Sequence, residues 1–135
     1  MIGYVKAYLV AVFVFFSIDM LWLGVVAKSF YRQQLGFILK DSYNFSAAVV
    51  FYLFFISGLL FFVINRAVSL GSWKYALLTG MFFGFITYAT YDMTNLATLK
   101  DWPLLVTVVD IIWGSLLCAL TSVVSYFIIR YFNLL

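Results

Sequence analysis

Residues 73–114 read WKYALLTGMFFGFITYATYDMTNLATLKDWPLLVTVVDIIWG. Two long apolar runs flank the short break Lys100, Asp101, Trp102 and Pro103, and each run is interrupted once by an acid, Asp92 or Asp110. A run of about 20 apolar residues crosses a bilayer as a helix. A turn this tight sends the chain straight back, and Pro103 suits the first turn of the returning helix. The stretch therefore predicts a transmembrane helical hairpin, with spans over about 73–99 and 104–130.

The same pattern extends outward from this hairpin. An apolar run over about 7–27 lies between Lys6 and Lys28, and another over about 46–65 ends at Asn65 and Arg66. The turn Ser69, Leu70, Gly71 and Ser72 then leads into the hairpin. Val25 and Ala27 would suit a signal-peptide cleavage site, but Asp19 and Trp22 interrupt what should be a clean apolar segment, so the run is read as a first span. The expected fold is an all-α integral membrane protein, a single four-helix transmembrane domain over residues 1–135. Between the first two spans, Tyr31, Leu35 and Ile38 recur at helical spacing opposite Lys28, Arg32 and Gln33. This fits a short interfacial amphipathic helix, and equally a loop whose apolar residues rest on the bundle.

Composition supports the membrane reading. Of 135 residues, 67% are hydrophobic and 10% charged, against about 25% charged in a soluble domain. The net charge of +3 comes from basic residues at the span ends, where they meet lipid headgroups, so the lipid bilayer is the expected partner and no nucleic-acid site is read from it. The single Cys118 cannot form an internal disulfide, and without histidine the usual transition-metal ligand sets are missing. The sequence names no cofactor. Four spans put both termini on one side. Lys6, Arg66, Lys74 and Arg130 on that side balance Lys28, Arg32, Lys40 and Lys100 on the other; Asp41 and Asp101 tip the net charge toward cytoplasmic termini. Trp73, Trp102 and Tyr131, near span ends, read as interfacial anchors.

The functional signal is three of the five acids, Asp19, Asp92 and Asp110, placed inside apolar runs. Burying a carboxylate at mid-helix costs about 2.5 to 3.5 kcal/mol on insertion scales, so each calls for a partner or a use. Counted from the span ends at 1.5 Å per residue, all three lie about 10 to 14 Å below the surface opposite the termini. No lysine or arginine lies within a span to neutralise them. The remaining supports are protonation, hydrogen bonds from Tyr88, Tyr91, Asn95, Thr107 and tryptophan, or a bound cation, with oxygen ligands favouring Mg²⁺, Ca²⁺ or Mn²⁺. At least one of the three acids is expected to carry a proton at pH 7 in the empty site.

Helical periodicity supports convergence of these groups. Gly80, Gly84, Tyr88, Tyr91, Asp92 and Asn95 fall on one stripe of about 120° on the third helix, and Thr107, Asp110, Gly114, Thr121 and Ser125 on one stripe of the fourth. The Gly80–Gly84 spacing suits close packing, within the bundle or, as the less favoured alternative, in a homo-oligomer. Asp-x-x-Trp occurs twice, at Asp19–Trp22 and Asp110–Trp113, where chance gives roughly 0.15 occurrences, suggesting equivalent use or a remnant repeat. The candidate ligand- or ion-binding residues are therefore Asp19, Trp22, Tyr88, Tyr91, Asp92, Asn95, Thr107, Asp110 and Trp113.

Asp19, Trp22, Leu23 and Gly24, then Phe30, Tyr31 and Arg32, then Gly71, Ser72 and Trp73, the run YATYDMTNLATLKDWP over 88–103 and VDIIWG over 109–114 resemble the bacterial membrane-protein family known as domain of unknown function 2177. The resemblance spans nearly the whole chain. It implies a small inner-membrane protein of a bacterium, implies no activity, and adds weight to Asp19, Asp92, Asn95 and Asp110. The favoured functional expectation is binding or transport of a proton, a cation or a cationic or polar small ligand. The alternatives are a membrane enzyme acting on a lipid or apolar substrate with one acid protonated and one ionised, and an accessory subunit whose polar stripes contact a partner protein. Nucleophilic triads and phosphate-binding glycine loops are absent.

Overall fold

A computed structural model of the chain describes residues 2–135 and is helical almost throughout, with no strand among the described residues. Four long helices run in sequence: α1 (Ile2–Leu35), α2 (Phe45–Leu70), α3 (Trp73–Thr98) and α4 (Leu104–Tyr131). Of these, α1, α2 and α4 are long and apolar enough to cross a membrane. At 26 residues α3 has the length, about 39 Å at 1.5 Å per residue. Its threonines and tyrosines, with Asp92 and Asn95, leave it outside the apolar class of the other three.

The helix ends follow from local chemistry. The Asn44 side chain accepts from Ala47 N at 3.1 Å and starts α2; the Ser72 hydroxyl accepts from Tyr75 N at 3.2 Å and starts α3. Between them Gly71, at φ 61°, takes the left-handed cap that ends α2. Asp101, also left-handed at φ 60°, turns the chain before Pro103 and α4.

Helix α1 departs from expectation in an informative way. Residues 28–35 are helical, as the amphipathic alternative had it, but they continue the first helix. Lys28 keeps right-handed helical angles, φ −58° and ψ −45°, and only a π-turn over Leu23–Ala27 marks the join. A second π-turn, Leu60–Ile64, interrupts α2, which extends past Asn65 to Leu70.

Helix α4 is the centre of the bundle, and its inward face is small or polar: Thr107, Asp110, Gly114, Cys118, Thr121, Ser122 and Ser125 are all buried. Helix α3 packs along it antiparallel. Gly80 lies against the Cys118 carbonyl and Ser122, Gly84 against the Gly114 carbonyl, and the Tyr88 ring against Gly114. The Gly80–Gly84 face thus packs within the bundle, the favoured of its two readings, and the alternative of a homo-oligomer interface there gains no support. Small residues let two backbones approach and bring van der Waals attraction and buried polar groups together. Ala7, Ala11 and Phe15 of α1 meet Ile56, Leu59 and Val63 of α2 and Leu117 of α4 in the main apolar cluster. Outward-facing residues are bulky and apolar, with Phe54 76% and Phe13 74% exposed, a surface suited to lipid and not to water. Gly3 lies against the Leu134 carbonyl and Arg130 against Gly71, so both termini and the α2–α3 turn share one end of the bundle.

Candidate functional site

The three buried acids fall into two centres that share α4. Asp19, on the buried face of α1, accepts from the Tyr52 hydroxyl of α2 at 3.1 Å and from Trp113 Nε1 of α4 at 3.4 Å. Asp92 of α3 and Asp110 of α4 form the second centre, their carboxyls within hydrogen-bonding reach of each other. Asp92 is fully buried and neither of its oxygens has a donor. Its neighbour is another carboxyl, so the one hydrogen bond open to the pair requires a proton on one of them. Asp110 accepts a hydrogen bond from the Tyr31 hydroxyl.

Tyr31 reaches Asp110 because of the π-turn. Twelve residues separate it from Asp19. At about 100° each, an uninterrupted α-helix would place it about 120° around from Asp19. A π-turn adds one residue to a turn and takes back about 100°, leaving the two residues within about 20° of one face. Ala27 and Leu35, one turn to either side of Tyr31, are buried on that face, and Leu35 packs with Trp102 and Val106 over the α3–α4 connection.

The two Asp-x-x-Trp motifs meet face to face. Trp22 and Trp113 stack with ring centroids 4.4 Å apart and planes 9° from parallel. Each serves the other motif's side of the bundle. Trp113 donates to Asp19, while Trp22 Nε1 is buried near the Tyr31 hydroxyl that holds Asp110, without a well-formed hydrogen bond of its own.

The other sequence candidates divide. Thr107 is buried, but it ties the hairpin together instead of holding a carboxylate: its Oγ1 accepts from Trp102 Nε1 at 3.1 Å and donates to the Asp92 carbonyl at 3.5 Å. Tyr88 is wedged on Gly114 and Asn95 is half-buried; Tyr91 is exposed, its ring edge-on to Trp102 at 6.0 Å. Trp102 itself is 8% exposed, which corrects its reading as an interfacial anchor: its ring fills the space under Leu35. Trp73 and Tyr131 are exposed, as anchors would be.

Sequence reasoning missed two site residues, Tyr31 and Tyr52. Tyr52 is detectable in the sequence as the one hydroxyl-bearing ring in an otherwise Phe- and Leu-rich span. Tyr31 is among the residues that carry the family resemblance, yet its helical phase points elsewhere until the π-turn is known. The expected meeting of all three acids at one point is also corrected: among the described residues, no three acid or thiol side chains are placed to hold a metal ion.

Beside the pair, a cleft of about 550 Å³ opens between α2 and α3. Phe51, Phe55, Thr87, Tyr88, Thr90, Tyr91 and Asp110 line it.

The profile of a family described as a predicted membrane protein, DUF2177, matches residues 4–127, which include every residue of both acid centres. The chain belongs to the DUF2177 family. For this member of it, no curated protein and no solved structure gives a match. The family description agrees with the apolar helices and places the protein in a lipid bilayer.

Proposed function

We propose that this DUF2177 protein is a four-span bundle of a bacterial inner membrane whose Asp92–Asp110 pair binds a proton, exchangeable for the positive charge of a small ligand. The observation that carries the reading is Asp92, fully buried, with no donor on either oxygen, against a second carboxyl. Two carboxylates at this separation cannot both stay ionised in a dry interior, so the empty pair holds one proton between them. Asp19 differs in its surroundings, with two neutral donors, Tyr52 and Trp113, and no second carboxyl beside it.

Support for the fourth span comes from α3 lying antiparallel to α4 through glycine contacts, with its first turn at the end shared by both termini. A polar helix is tolerated in a membrane when its polar face is buried against protein, and Asp92 faces α4. The termini are assigned to the cytoplasmic side, with Asp41 and Asp101 lowering the positive charge of the opposite end.

Infrared spectroscopy of the protein in neutral-lipid nanodiscs at pH 7 tests the pair. Wild type is expected to show the C=O stretch of a protonated, buried carboxyl; Asp92→Asn and Asp110→Asn each shift it, because the carboxyl that remains has an amide and not a second carboxyl beside it, and Asp19→Asn leaves it in place. A band unshifted in both pair variants would overturn the assignment.

A further inference from the structure

The cleft between α2 and α3 is bordered by one member of the acid pair, Asp110, and its wall chemistry is one-sided. The Thr87 hydroxyl donates to the Phe83 carbonyl at 2.9 Å and the Thr90 hydroxyl to the Ile86 carbonyl at 2.7 Å, so both offer the cleft lone pairs only. Asp110 is an acceptor whose one donor is Tyr31, and Asp92 beside it has none. Phe51, Phe55, Tyr88 and Tyr91 supply aromatic faces, which attract cations, and the lining holds no lysine or arginine. Apart from the Tyr88 and Tyr91 hydroxyls, which both donate and accept, the cleft presents acceptors and aromatic rings. It favours a ligand that is apolar along its length and carries a head rich in donors.

We infer that the cleft binds a single-chain amphiphile with a primary ammonium head, admitted sideways from the bilayer and seated on the Asp92–Asp110 pair. Resting on the proposed protonatable pair, this assigns that site its ligand class. An ammonium group has three donors and no acceptor, matching the cleft in sign and in hydrogen-bond sense. Phospholipid heads match less well, because a phosphate would find only two tyrosine hydroxyls as donors and no cation in the lining, beside a carboxyl of its own sign. Binding is an exchange. The ammonium leaves both carboxyls ionised, and the proton they shared is released to solvent, so the site's net charge is unchanged.

The exchange gives a direct test in phosphatidylcholine nanodiscs, with dodecylamine as the probe, dodecanol as the uncharged control and empty discs subtracted. Dodecylamine is expected to remove the protonated-carboxyl band of wild type with release of one proton per protein, while dodecanol at the same loading leaves the band unchanged. Thr90→Trp, which fills the cleft mouth and leaves both acids in place, should keep the band and need at least tenfold more amine to lose it. A wild-type band indifferent to dodecylamine, or equally sensitive to dodecanol, overturns the ligand class while the pair stands. A response of Thr90→Trp at wild-type concentrations overturns the cleft as the route. Absence of the band before any amine is added overturns the pair itself, and this inference with it.

Discussion

Substituting Gly84 by alanine probes the contact on which the acid pair depends. A Cβ at this position would lie 2.1 Å from the Gly114 carbonyl oxygen, 2.7 Å from its carbon and 2.9 Å from Cys118 Cβ. Ordinary contact begins near 3.4 Å, so α3 and α4 would have to part locally by about 1.3 Å, and backbone, unlike the tip of a side chain, cannot step aside. Overpacking of this kind costs about 1 to 3 kcal/mol, and with backbone as the obstacle the upper half of that range applies. Alanine recovers up to about 1 kcal/mol over glycine as a helix former. The expected net loss is about 1 to 2 kcal/mol, a factor of about 5 to 30 in the folded-to-unfolded ratio. Titrating the purified protein with a denaturing detergent and following tryptophan fluorescence measures it. Gly24→Ala is the control, since a Cβ there meets nothing within 4 Å. Separating α3 from α4 also moves Asp92 off Asp110, so Gly84→Ala should shift the protonated-carboxyl band without touching either acid. Equal stability of the two alanine variants, with the band intact, would falsify the close α3–α4 packing.

The stacked tryptophans should be unequal. Trp113→Phe loses both the stack and the hydrogen bond to Asp19, whereas Trp22→Phe loses only the stack, its Nε1 being unpartnered; in the same detergent titration Trp113→Phe should cost more by about 1 kcal/mol, and equal costs would remove Trp113 as a support for Asp19. Topology is checked by single cysteines in a Cys118→Ser background, at Ser72 in the α2–α3 turn and at Asp41 in the α1–α2 connection. A membrane-impermeant thiol reagent should label them from opposite sides, and labelling from one side would refute the four-span arrangement.

Much of this protein is legible in its sequence because a bilayer imposes a strong, local rule. Backbone groups without water must bond within their own helix, so length and hydropathy locate α1, α2 and α4, and the Ser72 cap and Pro103 bound the hairpin. The cost of an intramembrane charge marked Asp19, Asp92 and Asp110 before any contact was known, and helical periodicity put Gly80, Gly84 and Asp92 on one face of α3 and Asp110 and Gly114 on one face of α4. These are properties of single helices, and single helices obey near-neighbour rules.

What the sequence could not decide is how those faces are phased against one another. The π-turn over Leu23–Ala27 rotates the end of α1 by about one residue, about 100°, and so gives Asp110 a tyrosine that regular periodicity assigns to another face. Pairing across helices made Tyr52 and Trp113 the donors of Asp19 and left Asp92 with only another acid beside it. It also buried Trp102, which position alone had sent to the interface. The sequence by itself determined that three of the five acids interrupt long apolar runs. Only the tertiary structure separated them into one carboxyl with two donors and one pair of adjoining carboxyls, because the partners of a buried carboxyl come from other helices.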